Sequence, residues 1–162
     1  MTLVELCASV GMAVGIAFAG LAITNNQAAL LREQAAISVY TTALPAVRSL
    51  LNRTAGKADR CRVFSSLANA RTTTGDTGVA LTGPALRLEY LGGPNVPAGN
   101  TTWQATVEFR ATERTIVYRN QGGKEWVVCT GIDQATFSIT DGACVLGLVR
   151  GGRSCNIVVA IN

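Results

Sequence analysis

The chain has 162 residues, 48% of them hydrophobic, and a formal charge of +4 from 14 basic and 10 acidic side chains. That length suits one domain of ordinary size, and a mild positive excess without a long basic run favours a solvated surface over a nucleic-acid or anionic-surface patch. Histidine is absent, which excludes histidine-dependent triads and histidine metal sites.

The chain opens Met1-Thr2-Leu3-Val4-Glu5-Leu6 and continues CASVGMAVGIAFAGLAIT, an apolar stretch through Thr24 in which Glu5 is the lone charge. About 20 apolar residues suffice to span a bilayer as a helix. A carboxylate inside such a segment costs roughly 2.5–3.5 kcal/mol on insertion scales, so it needs a task and a partner. The first basic residue is Arg32. An ordinary secretory signal starts with one, so this terminus reads as a mature end already processed. Gly11, Gly15 and Gly20 punctuate the segment. Two readings stay open for them: close helix packing, or sites where the helix loosens.

Beyond Thr24 the apolar residues thin to one side, with Ala28, Leu31, Ala35, Val39 and Ala43 at helical spacing. The pattern predicts one helix over about residues 1–54, roughly 80 Å long at 1.5 Å per residue. Gly56 lies past its end and Arg53 and Lys57 near its last turn. Residues 58 to 85 are hard to read, except that 72–78 has loop composition.

From Leu86 the period becomes two. Leu86, Leu88 and Tyr90 alternate with Arg87 and Glu89, and Trp103, Ala105, Val107 and Phe109 alternate with Gln104, Thr106, Glu108 and Arg110. Strands over 116–119 and 125–129 follow, joined by a turn at 120–124. Asp141-Gly142 and Gly151-Gly152 are two-residue hairpin turns flanked by apolar strands. These elements predict an antiparallel meander of about six strands. The fold class expected is α+β, a lollipop whose long helix covers the sheet. Its expected division is 1–24 as an apolar transmembrane or filament-core helix, and 25–162 as a head that includes the amphipathic half of the helix.

Five cysteines complete the inventory. Cys7 lies in the apolar segment and reads as a packing residue. Cys61, Cys129, Cys144 and Cys155 have no CxxC spacing, which argues against zinc and for two disulfides in an oxidising compartment. Three pairings are open. If both turns have two residues, Cys144 sits opposite Ile139 and Cys155 opposite Leu148, so Cys144 and Cys155 do not face each other directly.

The Met1–Leu6 opening with Glu5, the amphipathic continuation and the cysteine-bearing antiparallel sheet together resemble the type IV pilin family, which includes major pilins, minor pilins and type II secretion pseudopilins. The motif covers about the first twenty-five residues. The resemblance implies a leader removed by a prepilin peptidase and an N-methylated Met1. Met1 stands where the family more often has phenylalanine. It implies a subunit held in the inner membrane and then added to an extracellular filament, a homopolymer built with the inner-membrane assembly machinery and accompanied by minor pilins. Glu5 then pairs with the terminal amine of a neighbouring subunit and sets register, since a desolvated carboxylate left alone is costly. Many pilins carry a proline near the end of the apolar segment; here the sequence is Gly20-Leu21-Ala22-Ile23, so any loosening falls to Gly11, Gly15 and Gly20.

Arg110, Arg114, Arg119 and Lys124 fall on two adjacent predicted strands. They form the best candidate basic patch, for weak nucleic-acid or surface binding, although a solvated face is the favoured reading. The aromatic residues read as core, with Trp126 breaking parity and so placed at the surface. No catalytic motif and no cofactor or metal motif stands out. The expectation is a non-enzymatic filament subunit serving motility, adhesion or DNA uptake. The alternatives are a minor pilin or pseudopilin priming a short filament, and a membrane-anchored module that binds DNA or surfaces.

Overall fold

Val47, Leu51 and Ala55 recur every four residues and are fully buried, which fixes how the chain enters its core. The computed structural model describes residues 21, 24, 27–31, 34, 44–72 and 75–161. Two compact units divide the chain, Met1–Val39 and Tyr40–Asn162. In the first, the described residues are helical, and Leu21, Leu30 and Leu31 are about three-fifths exposed. Ala28, expected on the buried stripe with Leu31, is also exposed.

The second unit begins with α1 (residues 44–54), which tightens into a 3-10 turn at Ala55–Lys57. Thr54 Oγ1 donates to the Leu50 carbonyl at 2.7 Å, and Ala58 turns extended. β1 (Arg60–Phe64) follows. Then comes α2 (Leu67–Arg71), whose start is capped by Ser66 Oγ accepting from the Asn69 amide. The remaining strands are β2 (Thr82–Gly83), β3 (Ala85–Tyr90), β4 (Trp103–Arg110), β5 (Thr115–Asn120), β6 (Glu125–Thr130), β7 (Gln134–Thr140), β8 (Ala143–Arg150) and β9 (Arg153–Ala160).

These strands form two antiparallel sheets, a five-stranded one in the order β1-β3-β4-β5-β6 and a four-stranded one in the order β2-β7-β8-β9. One core joins them. It contains Val47 and Leu51 from α1, Leu86, Leu88, Val107 and Ile116 from the larger sheet, and Phe137, Leu146, Leu148, Ile157 and Val159 from the smaller. Cys144 pairs with Ile139 and Cys155 with Leu148, the register that two-residue turns at Asp141-Gly142 and Gly151-Gly152 require. Asp141 and Gly142 both have positive φ, 50° and 74°.

The expected α+β lollipop with one long N-terminal helix is overturned. Among the described residues the protein is mainly β: strand makes up 46% of them, and the longest helical run there is 14 residues. Most of residues 1–43 lies outside the described residues, and among those described no helix is long and apolar enough to cross a membrane. The single meander is corrected to two sheets, and the reason is local. Gly131 has φ 73°, which breaks the extended run after β6. Next, Ile132 N donates to the Arg114 carbonyl at 3.0 Å in the larger sheet's hairpin, while Asp133 N donates to the Val149 carbonyl at 2.8 Å in the smaller sheet. The chain thus changes sheets within three residues, and β7 pairs with β2 and β8 rather than β6.

Candidate functional site

Met1 and Glu5, expected to direct assembly, and Gly11, Gly15 and Gly20, expected to govern helix flexibility, lie outside the described residues. The other predicted site residues all fall in the second unit, and their placement depends on how the larger sheet is covered.

β3 is buried on both faces. Leu86, Leu88 and Tyr90 face the main core, with Tyr90 Oη donating to the Thr54 carbonyl at 3.0 Å. Ala85 packs on the other side with Phe64, Ala70 and Leu67, so α2 lies over that face. This cover turns side chains that alternate toward solvent in the sequence into buried ones. Arg87 is 1% exposed. It donates to the carbonyls of Thr72 and Gly75 at 2.9 and 2.8 Å, lies 3.0 Å from Glu89 Oε1, and stacks 4.3 Å over the Phe64 ring. Glu108 is fully buried. It accepts two bonds from the Arg71 guanidinium, at 2.9 and 2.6 Å, and one from Thr106 Oγ1 at 2.7 Å. The Glu108 hydrogen bond raises the Arg71 pKa further above its ordinary value. The sequence carried a sign of this network: opposite charges alternate on one face of two neighbouring strands. Without a cover in view, they read as solvated.

The candidate basic patch sits beside this network and is largely neutralised. Arg110 Nη2 donates to Glu125 Oε1 at 2.5 Å and lies 3.7 Å from Glu108. Arg119 Nη1 reaches the same Glu125 oxygen at 3.1 Å. The Arg110 hydrogen bond, with both arginine charges behind it, holds the Glu125 carboxyl below its usual range. Arg114, with φ 55°, pairs with Asp133 Oδ1. Lys124 is placed differently, with Nζ 5.1 Å from the Trp126 ring centroid. Trp126 and Val127 stand 42% and 61% exposed on β6, the outermost strand of the larger sheet. The ladder between β5 and β6 shifts register between Ile116 and Val117. Trp126 is therefore at the surface, as its broken parity predicts, and Tyr118 lies beside it at 5.6 Å between ring centroids.

Cys61, Cys129, Cys144 and Cys155 are thiols, with Cys129 and Cys144 buried and the other two half-buried. Asp133 was not singled out in the sequence, yet it ties together three segments: besides Arg114, its Oδ2 accepts the Gly151 amide at 2.5 Å. Its one sequence signal is its position just past Gly131, at the end of a strand. A groove between α1 and β9 is lined by Leu44, Pro45, Arg48, Cys155, Ile157 and Val158. Among the described residues no three Cys, Asp or Glu side chains converge to hold a metal. The polar clusters join carboxylates to guanidinium groups in hydrogen-bonded pairs, an arrangement suited to holding the fold rather than to moving protons. Comparison with protein-family models, curated proteins and solved structures finds no match for this chain.

Proposed function

We propose that the chain is the structural subunit of a type IV pilus-like helical filament, assembled through its apolar N-terminal segment. The observation that carries this reading is the opening Met1-Thr2-Leu3-Val4-Glu5-Leu6, with Glu5 the lone charge before Arg32. A carboxylate in an apolar setting is stable only with a cation, and the terminal amine of a neighbouring copy is the cation such a terminus supplies. In this reading the segment rests in the inner membrane after a prepilin peptidase has acted, Met1 carries an N-methylated amine, and the sheet-rich unit forms the filament surface.

A nucleic-acid-binding role has less support. Arg110, Arg114 and Arg119 already engage carboxylates, and phosphate contacts would have to displace them. The test is Glu5→Gln in cells that make the filament. The variant is expected to reach the membrane with its head folded, while electron microscopy shows few or no filaments. Filaments of ordinary number and length would sink the proposal. The abundance of this chain in purified filaments separates a major subunit from a minor one.

A further inference from the structure

The two sheets turn opposite kinds of surface away from the core. On the larger sheet the outward positions carry charge, Arg87, Glu108, Arg110, Arg119 and Glu125 among them. On the smaller sheet Phe137, Leu146 and Ile157 point into the core, so the alternate residues point outward. They include Thr136 and Ser138 on β7, Val145 and Val149 on β8, and Asn156 and Val158 on β9. Along all three strands no outward position holds an acidic or basic residue. Val158 is 56% exposed. Asn156 lies across Gly147, where a Cβ would stand 3.4 Å from its Oδ1, and so levels the middle of the face.

The charge-free surface continues past β7. Thr82 on β2 pairs with Ser138, and the residue before it, Leu81, is 88% exposed, the barest large apolar side chain among the described residues. Next to Thr82 lies a groove whose walls include Leu67, Pro84, Phe109 and Thr136, with no charged side chain in its lining. A solvated surface ordinarily mixes charges of both signs, as the outer face of the larger sheet does. A face without them does not repel its own copy and offers nothing to a charged partner.

We infer that the outer face of the smaller sheet is a contact between two copies of this chain, packed sheet on sheet about a two-fold axis. Such a contact sets one patch against itself, and the same face of a second copy is charge-free and equal in extent. The rims are complementary as well. Arg150 and Arg153 stand at the β8–β9 turn, and Asp141 at the β7–β8 turn, at the opposite end of β8. A two-fold axis that runs the strands of the two copies antiparallel sets the basic end of each over the acidic end of the other. Four strands at about 4.8 Å spacing and about 3.4 Å per residue give a face of roughly 400 Å² per copy. Two copies bury about 800 Å², short of the roughly 1,200 Å² of a standard stable interface. The contact is weak between free chains and effective where copies are held side by side, and in this respect it rests on the filament reading above.

The test uses the full chain in detergent, carrying Glu5→Gln so that assembly through the N-terminal segment is removed from the measurement. Sedimentation velocity over the micromolar to millimolar range compares this parent with two variants, Leu81→Lys with Val158→Lys on the face, and Asn100→Lys with Thr102→Lys on an exposed loop. Circular dichroism checks that each is folded. The parent and the loop variant are expected to associate alike, and the face variant about tenfold more weakly or less, since each copy then sets an unpaired lysine against an uncharged surface. A parent that stays monomeric, equal association of all three chains, or equal loss in both lysine variants overturns the inference. A second measurement holds if the lysine face variant fails to fold: a photo-cross-linking residue in place of Val158 should join the parent chain to residues 134–160 of another copy. Cross-links to other segments only, or to detergent or lipid only, overturn it. Ordinary filaments in the Glu5→Gln parent would sink the filament reading alone, because the cross-link map reads the face separately.

Discussion

Arg114 and Asp133 close the joint at which the chain leaves one sheet for the other. The guanidinium pairs with Asp133 Oδ1, while Oδ2 accepts the Gly151 amide at 2.5 Å, so one carboxylate ties the β4–β5 connection to the β8–β9 turn. An exposed ion pair alone contributes about 0–1 kcal/mol, and a hydrogen bond to a charged group about 1.5–3 kcal/mol. Asp133→Ala is therefore expected to lower stability by about 1–2 kcal/mol, allowing for the partial exposure of both groups. Arg114→Ala should cost less, because the Gly151 bond survives. Urea denaturation of the two single variants and the double variant measures this; equal, near-zero losses would show that the joint is held by its backbone alone.

The pair beneath α2 should matter more. Glu108 has no solvent to fall back on, and Arg71 supplies two of its hydrogen bonds. Arg71→Ala leaves a buried carboxylate short of its main cation. The expected loss is about 3 kcal/mol, at the low end for buried pairs because Thr106 and Arg110 remain nearby. Arg71→Ala combined with Glu108→Gln should recover part of the loss. A double variant less stable than Arg71→Ala alone would contradict this account.

Gly83 sits where β2 crosses the end of β1. A Cβ there would stand 2.0 Å from the Phe64 carbonyl oxygen, and backbone cannot swing away as a side chain can. Gly83→Ala is expected to destabilise the fold by about 1–3 kcal/mol, in the range of overpacked sites. Thermal melting followed by circular dichroism checks it, and an unchanged midpoint would mean that β2 shifts without cost.

Stability should fall on the alkaline side. Burial, with Glu89 as the second cause, pushes the Cys61 thiol up to about 11, and burial with Cys61 pushes Cys144 up to about 12. Burial also raises Tyr90 above the usual tyrosine range. In each case the folded state holds the proton more tightly than the unfolded chain. The stabilisation is whole below the unfolded value, about 8.5 for cysteine and 10 for tyrosine, and is lost as pH rises toward the folded values. Each group steepens the loss by up to about 1.4 kcal/mol per pH unit. The decline should begin at about pH 8.5, with the Cys129 thiol, also raised by burial, contributing to it, and Tyr90→Phe should flatten the part above about pH 10. Urea denaturation across about pH 7–11 measures this, and a stability that stays constant over that range would count against the thiol shifts.

Much of the sheet was legible because its signals are local. The alternation of Leu86, Leu88 and Tyr90, the Asp141-Gly142 turn, and the facing of Cys144 to Ile139 follow from a period of two and from turn length, and all appear in the fold. The division into two sheets was not legible, since it depends on Gly131 adopting positive φ and on which carbonyls receive the next two amides. β1 was missed because its alternation is short: Cys61 and Val63 pack inward, but the opposite face ends in Phe64, an apolar residue that packs under α2 and blurs the period of two. The same cover explains the basic patch. Arg110 and Arg119 read as a solvated face, with a basic patch as the weaker candidate, and Glu125 on β6 is seen to engage both.

The outer rim of the larger sheet has one further consequence, for a chain held at high local concentration. An edge strand is a template on which stray chains pair. Anything approaching β6 meets the Glu125 ion cluster at one end and the offset ladder opposite Ile116 and Val117 further along. Only the short apolar run at Trp126 and Val127 is left uninterrupted. The rim is thus guarded against stray pairing by two small irregularities, and neutralising Glu125 would remove one of them.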